Sequence, residues 1–196
     1  MIIFIIGPSN SGKTTLADKI VSELKYKKII TYTTRDKRHK EIDGADYHFV
    51  DDKWFNKHRN IFLEYTEYNN CNYGSLIKDY QDNRVVVTTP SAIEAYNKAI
   101  DSGIIEYNGS VVIYLNTSEK ERIARAIVRH DDLDAFKKRL IEDKETFKEY
   151  IEKSGNNKFL IELEPLNLSD DNSKLMNKLT EFARECTNDI YSRYWK

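Results

Sequence analysis

Gly7-Pro8-Ser9-Asn10-Ser11-Gly12-Lys13-Thr14 follows Met1-Ile2-Ile3-Phe4-Ile5-Ile6 and runs directly into Thr15-Leu16-Ala17. The stretch fits G-x-x-x-x-G-K-[ST], with an apolar strand before it and a helical pattern after it. A loop wrapped around a phosphate must aim several backbone N–H groups inward, and glycine permits the dihedrals and the close approach this requires. The start of the following helix adds free N–H groups and the positive end of its dipole. Lys13 is placed to reach β- and γ-phosphates as a point charge, and Thr14 to offer its hydroxyl to Mg²⁺. Gly7, Pro8, Ser9, Asn10, Ser11, Gly12, Lys13, Thr14 and Thr15 are therefore the candidate ATP-binding residues. A glycine-rich turn after an edge strand would not explain why Lys and Thr follow at once.

Working outward, apolar runs at Ile2–Ile6, Arg84–Thr89 and Ser110–Leu115 read as buried parallel strands, with weaker ones at Lys28–Thr31 and Lys158–Leu163. Helical patterns lie between them at Lys13–Leu24, Ser91–Asp101, Glu119–Arg129 and Asp134–Lys153. A last one spans roughly 171–191, where Leu175, Leu179, Phe182 and Cys186 share a face. This alternation predicts an α/β fold, a parallel sheet covered by helices on both sides.

Residues 31–81 break the alternation. They are rich in Tyr, Asn and charge, with short extended pieces at Tyr47–Val50 and Phe62–Glu67. An inserted lobe of small strands beside a parallel sheet is a natural place for a second substrate. The lobe carries Arg35 and Arg38 three residues apart, a turn at Asp43-Gly44, and Tyr47 entering a strand. Paired guanidiniums and a phenol suit a phosphate dianion, although a solvated basic turn would look the same in isolation.

Set beside the phosphate loop, these residues resemble the guanylate kinase family. Its pattern T-T-R-x-x-R stands here as Thr33-Thr34-Arg35-x-x-Arg38, and E-x-x-G-x-D-Y-x-F as Glu41-x-x-Gly44-x-Asp46-Tyr47-x-Phe49. F-x-E and Y-Y-G-S follow as Phe62-x-Glu64 and Asn72-Tyr73-Gly74-Ser75. The resemblance covers about residues 2–83 in order. It implies a three-layer P-loop kinase fold in one domain over 1–196, with a core of 1–30, 84–118 and 146–196, a GMP lobe at 31–83 and a lid at 119–145. It implies that Arg35, Arg38, Tyr47 and Tyr73 grip the GMP phosphate. Thr31 stands where the family has a serine that touches guanine, and Ser75 belongs to the same set. Glu64 would read the base. Guanine presents N1–H and N2–H₂ as neighbouring donors that one carboxylate accepts together, whereas adenine would point a bare N1 acceptor at the charge.

Between the Ser110–Leu115 strand and Lys153 lie Arg122, Arg125, Arg129 and Arg139. Arg125 and Arg129 are four apart and share a helix face. The family lid has arginines at matching positions, here Arg125, Arg129 and Arg139 in Lys138-Arg139-Leu140. Closing over the donor phosphates, they would surround developing charge and exclude water. The alternative is an exposed charged helix pair, since Glu142, Asp143 and Glu145 lie close by. With Lys13 and Arg35, Arg125, Arg129 and Arg139 complete the candidate catalytic set.

After the Arg84–Val87 segment the family has D-x-D, but this chain has Thr88-Thr89-Pro90. Neither carboxylate remains. Thr88 can still donate or accept one hydrogen bond toward GMP, and metal would rest on Thr14, water and nucleotide oxygens.

Composition narrows the classes further. Charged residues make up 32% and hydrophobic ones 40% of the 196 residues, which excludes a disordered chain and a membrane-embedded one. The net charge of −1 offers no global attraction to nucleic acid or an anionic membrane. No N-K-x-D guanine signature of GTPases occurs. Cys71 and Cys186 are too few and too far apart for a disulfide framework. The opening apolar run lacks a basic leader and a cleavage site, so a cytoplasmic protein is expected. The expectation is an ATP:GMP phosphotransferase using Mg²⁺, a monomer or homodimer without nucleic-acid or membrane partners. The rival readings are a related kinase acting on another nucleotide or small phosphorylated acceptor, and a non-catalytic module of the same fold.

Overall fold

Ile2–Ile6 forms β1, and all five of its side chains are buried. A strand apolar on both faces must be covered on both faces, and a central position in a parallel sheet does that. The computed structural model, which describes residues 1–39, 41–68, 70–154, 160–163 and 177, places β1 there. Its neighbours are Arg84–Val87 and Ser110–Leu115. In register, Ile3 lies between Val85 and Val111, and Ile5 between Val87 and Ile113. Lys27–Lys28 and Leu160–Leu163 occupy the two edges, and every pairing in this sheet is parallel. In chain order the described strands are β2 at Lys27–Lys28, β3 at Tyr32–Thr33, β4 at His48–Phe49, β5 at Phe62–Tyr68, β6 at Cys71–Leu76, β7 at Arg84–Val87, β8 at Ser110–Leu115 and β9 at Leu160–Leu163.

The period-two pleat of β1 divides the core. Ile3 and Ile5 pack with Leu16, Ala17 and Ile20 of α1, Lys13–Leu24. Ile2, Phe4 and Ile6 face the other way, against Ile93, Tyr96 and Ala99 of α3, Pro90–Asp101, and Phe147 of α5, Leu133–Ser154. Each such aliphatic side chain, fully buried, contributes about 1.5–3 kcal/mol from water exclusion. The parallel order therefore follows from giving both faces of β1 a helical cover.

The interruption over 31–81 is a second, four-stranded sheet in the order β4-β3-β6-β5. It has its own apolar nucleus of Phe55, Phe62 and Leu76, with Tyr32, Val50 and Trp54 packed on it. Phe55 and Trp54 come from α2, Asp52–Lys57, capped by the Asp51 carboxylate accepting from Trp54 N–H. The helix α4, Glu119–Val128, and the start of α5 share a third nucleus of Ala126, Phe136 and Leu140.

Several sequence expectations shift. Of the strand expected at Lys28–Thr31 only Lys28 lies in one, as the end of β2, and β3 begins at Tyr32 in the second sheet. The chain leaves the core sheet after Ile29 N–H bonds Val85 O, so the apolar pair Ile29-Ile30 is a corner. The strand expected to run to Thr89 stops at Val87, because Thr89 is the N-cap and Pro90 the first residue of α3. Proline at that position removes no helical hydrogen bond and presets φ. β6 and α2 are additions. Asn, Gly and Ser in β6 carry little strand propensity, so pairing with β5 makes that strand. Apart from residue 177, the helix expected at 171–191, with Cys186, lies outside the described residues, as do residues 158–159 of the expected last strand. Among the described residues, no helix is long and apolar enough to cross a membrane, and Cys71 is a free thiol.

Candidate active site

β1 ends at Ile6, and the loop that follows turns back over the sheet's carboxyl edge into α1. That turn needs unusual backbone: φ is +147° at Gly7, +61° at Asn10 and +102° at Gly12. A Cβ at Gly7 would sit 2.9 Å from Leu115 O. Only glycine permits that approach, which is why the motif opens on it. Within this arch the Lys13 ammonium curls onto the carbonyls of Gly7 at 2.7 Å and Pro8 at 2.8 Å. Burial lowers the Lys13 pKa to about 8, with Asp143 pulling it up and Arg122 pushing it down. Thr14 and Thr15 are exposed on the first turn of α1.

The loop is one wall of a cavity of about 530 Å³. Gly7, Ser9 and Lys13 face Thr31, Arg35, Arg38, Tyr47, Glu64, Tyr73 and Ser75 from the inserted lobe, and Thr88 and Arg139 close the space. Residues spread over 133 positions thus share one cleft.

The lobe wall is preorganised. Glu41 holds the Arg35 guanidinium through two bonds of 2.7 and 2.9 Å, and accepts the Arg38 backbone N–H at 2.8 Å. Burial alone would raise the Glu41 carboxyl, but these donors overcome it and leave it below its ordinary value. Arg35 also lies 5.4 Å over the Tyr47 ring, and the Tyr47 and Tyr73 rings meet edge-on at 6.1 Å. Burial pushes the Tyr47 phenol up, so it stays a neutral donor. Arg38 is more than half exposed and pairs more loosely with Glu41, at 3.9 Å. Ser75 is buried, and it lines the cleft with its hydroxyl already bonded to Tyr80 at 2.7 Å.

Glu64 stands on β5, just past an irregularity between Phe62 and Glu64 that re-aims the strand. Burial raises its carboxyl pKa, a bond from Ser91 opposes this, and the like charge of Glu94 adds to it.

The arginines expected to act as a lid divide. Arg139 lines the cleft beside Glu142 and Asp143. Arg125 donates to Asn10 O at 3.1 Å and Arg129 to Asn10 Oδ1 at 3.1 Å, gripping the outer rim of the loop. Arg122 is buried, 3.0 Å from Asp143. Asp143 itself was hidden in a charged stretch of helix, as were Glu41 in its motif and Ser91 in a helix start. No local signal in the sequence separates Asp143 from its exposed neighbours.

Comparison with known proteins accounts for this assembly. The guanylate kinase family model matches residues 1–93. The chain is 30% identical over 152 residues to the guanylate kinase of Helicobacter hepaticus, covering 72% of this chain and 73% of that protein. This chain belongs to the guanylate kinase family. A second member, the guanylate kinase of Mycoplasmoides gallisepticum, is 31% identical over 157 residues, 76% of this chain and 78% of its own. The crystal structure of guanylate kinase from Anaplasma phagocytophilum superposes with a TM-score of 0.58 at 18% identity, covering 100% of this chain and 95% of that one, and shows the shared fold. Thr88 lines the cleft, and Pro90 is buried at the start of α3.

Proposed function

We infer that this chain transfers the γ-phosphoryl group of ATP to GMP or dGMP, giving ADP and GDP. One observation carries the reading: the phosphate loop and the Arg35–Tyr47–Glu64–Tyr73 wall open onto the same cavity of about 530 Å³. A donor phosphate on the loop and an acceptor phosphate on the wall would meet inside it. A GMP phosphate oxygen attacks the γ-phosphorus as the bond to the β-phosphate oxygen breaks, and ADP leaves with that electron pair. No protein atom becomes covalently attached.

Catalysis then rests on alignment and charge. Lys13 leaves the Gly7 and Pro8 carbonyls for the β- and γ-oxygens. Arg35, already fixed by Glu41, holds the acceptor with Arg38, Tyr47 and Tyr73. Arg139 reaches from α5 into the cleft, and Arg125 and Arg129 brace the loop as the lid closes. Thr31, Thr88 and Ser75 border the acceptor. Glu64 accepts guanine N1–H and N2–H₂. Among the described residues no group of three or more His, Cys, Asp or Glu side chains could cage a metal. The exposed Thr14 hydroxyl on the first turn of α1 suits Mg²⁺ arriving with the nucleotide, which would be held by Thr14 Oγ1, phosphate oxygens and water. Bound there, the ion would neutralise charge on the polyphosphate. The setting we propose is cytoplasmic, with the chain acting as monomer or homodimer.

The test is coupled ADP release with ATP, Mg²⁺ and GMP, dGMP, AMP, CMP, UMP or IMP in turn. GMP or dGMP is expected to be turned over fastest; another monophosphate outpacing GMP about tenfold, 1.4 kcal/mol in transition-state binding, overturns the assignment. Thr88 and Pro90 at the two carboxylate positions favour the second reading, a kinase for another phosphorylated acceptor, and the same panel decides it.

A further inference from the structure

Ser91 donates a hydrogen bond to Glu64 Oε1. Thr89 Oγ1 lies 2.9 Å behind it, on Ser91 Oγ. An ionised carboxylate only accepts, and Ser91 has one hydroxyl proton, so that proton points at Glu64 and Thr89 must supply the second bond. The chain Thr89→Ser91→Glu64 therefore has a single direction. All three residues line the cleft.

The Thr89 hydroxyl is not used for helix capping. Thr89 is the N-cap of α3, where a threonine hydroxyl ordinarily accepts a backbone N–H of the first turn. Here it makes no such bond. Its hydroxyl is turned to Ser91 instead. Pro90, fixed at the first helical position and buried, lies between the two hydroxyl residues that line the cleft.

We propose that Ser91, backed by Thr89, is the positioning residue for guanine recognition, orienting Glu64 so that both of its oxygens are offered to N1–H and N2–H₂. This rests on the GMP reading above. With one lone pair of Oε1 taken by Ser91, the carboxylate plane cannot rotate freely. The remaining acceptor sites then face the open cleft together. The hydroxyl pair thus supplies, through Glu64, part of the order that a direct carboxylate at Pro90 would bring. Ser91 touches Glu64 and need not touch the base.

The test compares wild type, Ser91→Ala, Ser91→Thr and Thr89→Val, with steady-state kinetics on GMP and IMP and calorimetric binding of GMP. IMP keeps N1–H but lacks the 2-amino group, so it cannot use both oxygens. Ser91→Ala is expected to raise the KM and Kd for GMP about tenfold, the size of a lost bond to a charged group. Its kcat should change less than about threefold, its KM for ATP should hold, and the GMP/IMP preference should fall. Ser91→Thr should restore the preference, and Thr89→Val should fall between. Equal melting temperatures among the variants exclude a folding origin. If wild type uses GMP but Ser91→Ala keeps its GMP affinity and GMP/IMP preference, this assignment is overturned alone. A loss confined to kcat or to ATP affinity overturns it as well. A wild-type chain that neither binds nor turns over GMP overturns the functional reading and this assignment together.

Discussion

Asp143 accepts the Ser9 backbone N–H through Oδ2 at 2.8 Å, and the same oxygen lies 3.0 Å from Arg122 Nη1. A carboxylate from α5 is thus seated on a loop amide whose ordinary partner is a phosphate. α5 is latched to the loop by an anion of the chain's own.

A nucleotide phosphate reaching the Ser9 amide must displace that carboxylate or share the site with it. Asp143→Asn keeps an acceptor but removes the charge, and ATP should bind about threefold to tenfold more tightly at low ionic strength, the gain shrinking with salt. Isothermal calorimetry checks this; weaker binding would show that the carboxylate assists the nucleotide. Asp143→Ala has a different outcome, because it strands Arg122, which is 5% exposed. A buried charge without its partner costs about 3 kcal/mol, a fall in Tm of about 6–12 °C for a chain of this size.

Lys13 carries a second prediction. Burial holds its pKa near 8, so at that pH about half of the free enzyme is uncharged there. Arriving phosphates favour the ammonium and raise the value, so nucleotide binding takes up protons near pH 8 and affinity falls as pH rises further. Calorimetry in buffers of different ionisation enthalpy should detect the uptake, and Lys13→Ala should abolish it. The same variant should lose on the order of a thousandfold in kcat. Full turnover in Lys13→Ala would sink the mechanism.

Glu64 titrates above the ordinary carboxylate range, through burial first and Glu94 in addition, against the Ser91 bond. Protonation removes an acceptor, so the KM for GMP should climb on acidification before an unshifted glutamate would respond. Its effect on folding has the opposite sense. The folded state holds this proton more tightly, so the group favours folding in acid and that contribution is lost as pH rises. Glu64→Gln should lower kcat/KM for GMP by about ten- to a hundredfold, leave the KM for ATP unchanged and flatten the acid limb.

Glu41 behaves in the reverse way. Burial works against its charge, yet the Arg35 and Arg38 donors hold it below the ordinary value. Its stabilisation is present above the unfolded pKa and lost as pH falls through the folded one. Glu41→Gln should cost about 1–2 kcal/mol near neutral pH, since both partners are 16% exposed, and the difference from wild type should vanish in acid. Urea titrations at the two pH values measure it. GMP affinity should fall with it, because Arg35 loses the fork that aims it.

How much was legible depended on range. β1 and α1 have the bounds that their sequence predicts, Ile2–Ile6 and Lys13–Leu24. Periodicity, a glycine-bounded turn and a helix start are short-range signals. β6 was not legible, because Asn72-Tyr73-Gly74-Ser75 becomes a strand only by pairing with β5. Arg125 and Arg129 were legible as a shared face, but their meeting with Asn10 was not. Thr88-Thr89-Pro90 read as a loss of two carboxylates. Folded, it is a helix start whose hydroxyl serves the cleft.

The sequence by itself therefore determined the phosphate loop, the parallel core and the inserted lobe, since each is written in contiguous residues with local conformational preferences. Tertiary structure alone decided what those residues meet. Ser91 finds Glu64 across 27 positions, and Asp143 finds Ser9 across 134. A serine or an aspartate on a helix has the same local preferences whether it faces water or a partner. Only the packing of α3 and α5 on the sheet brings each to the group it serves.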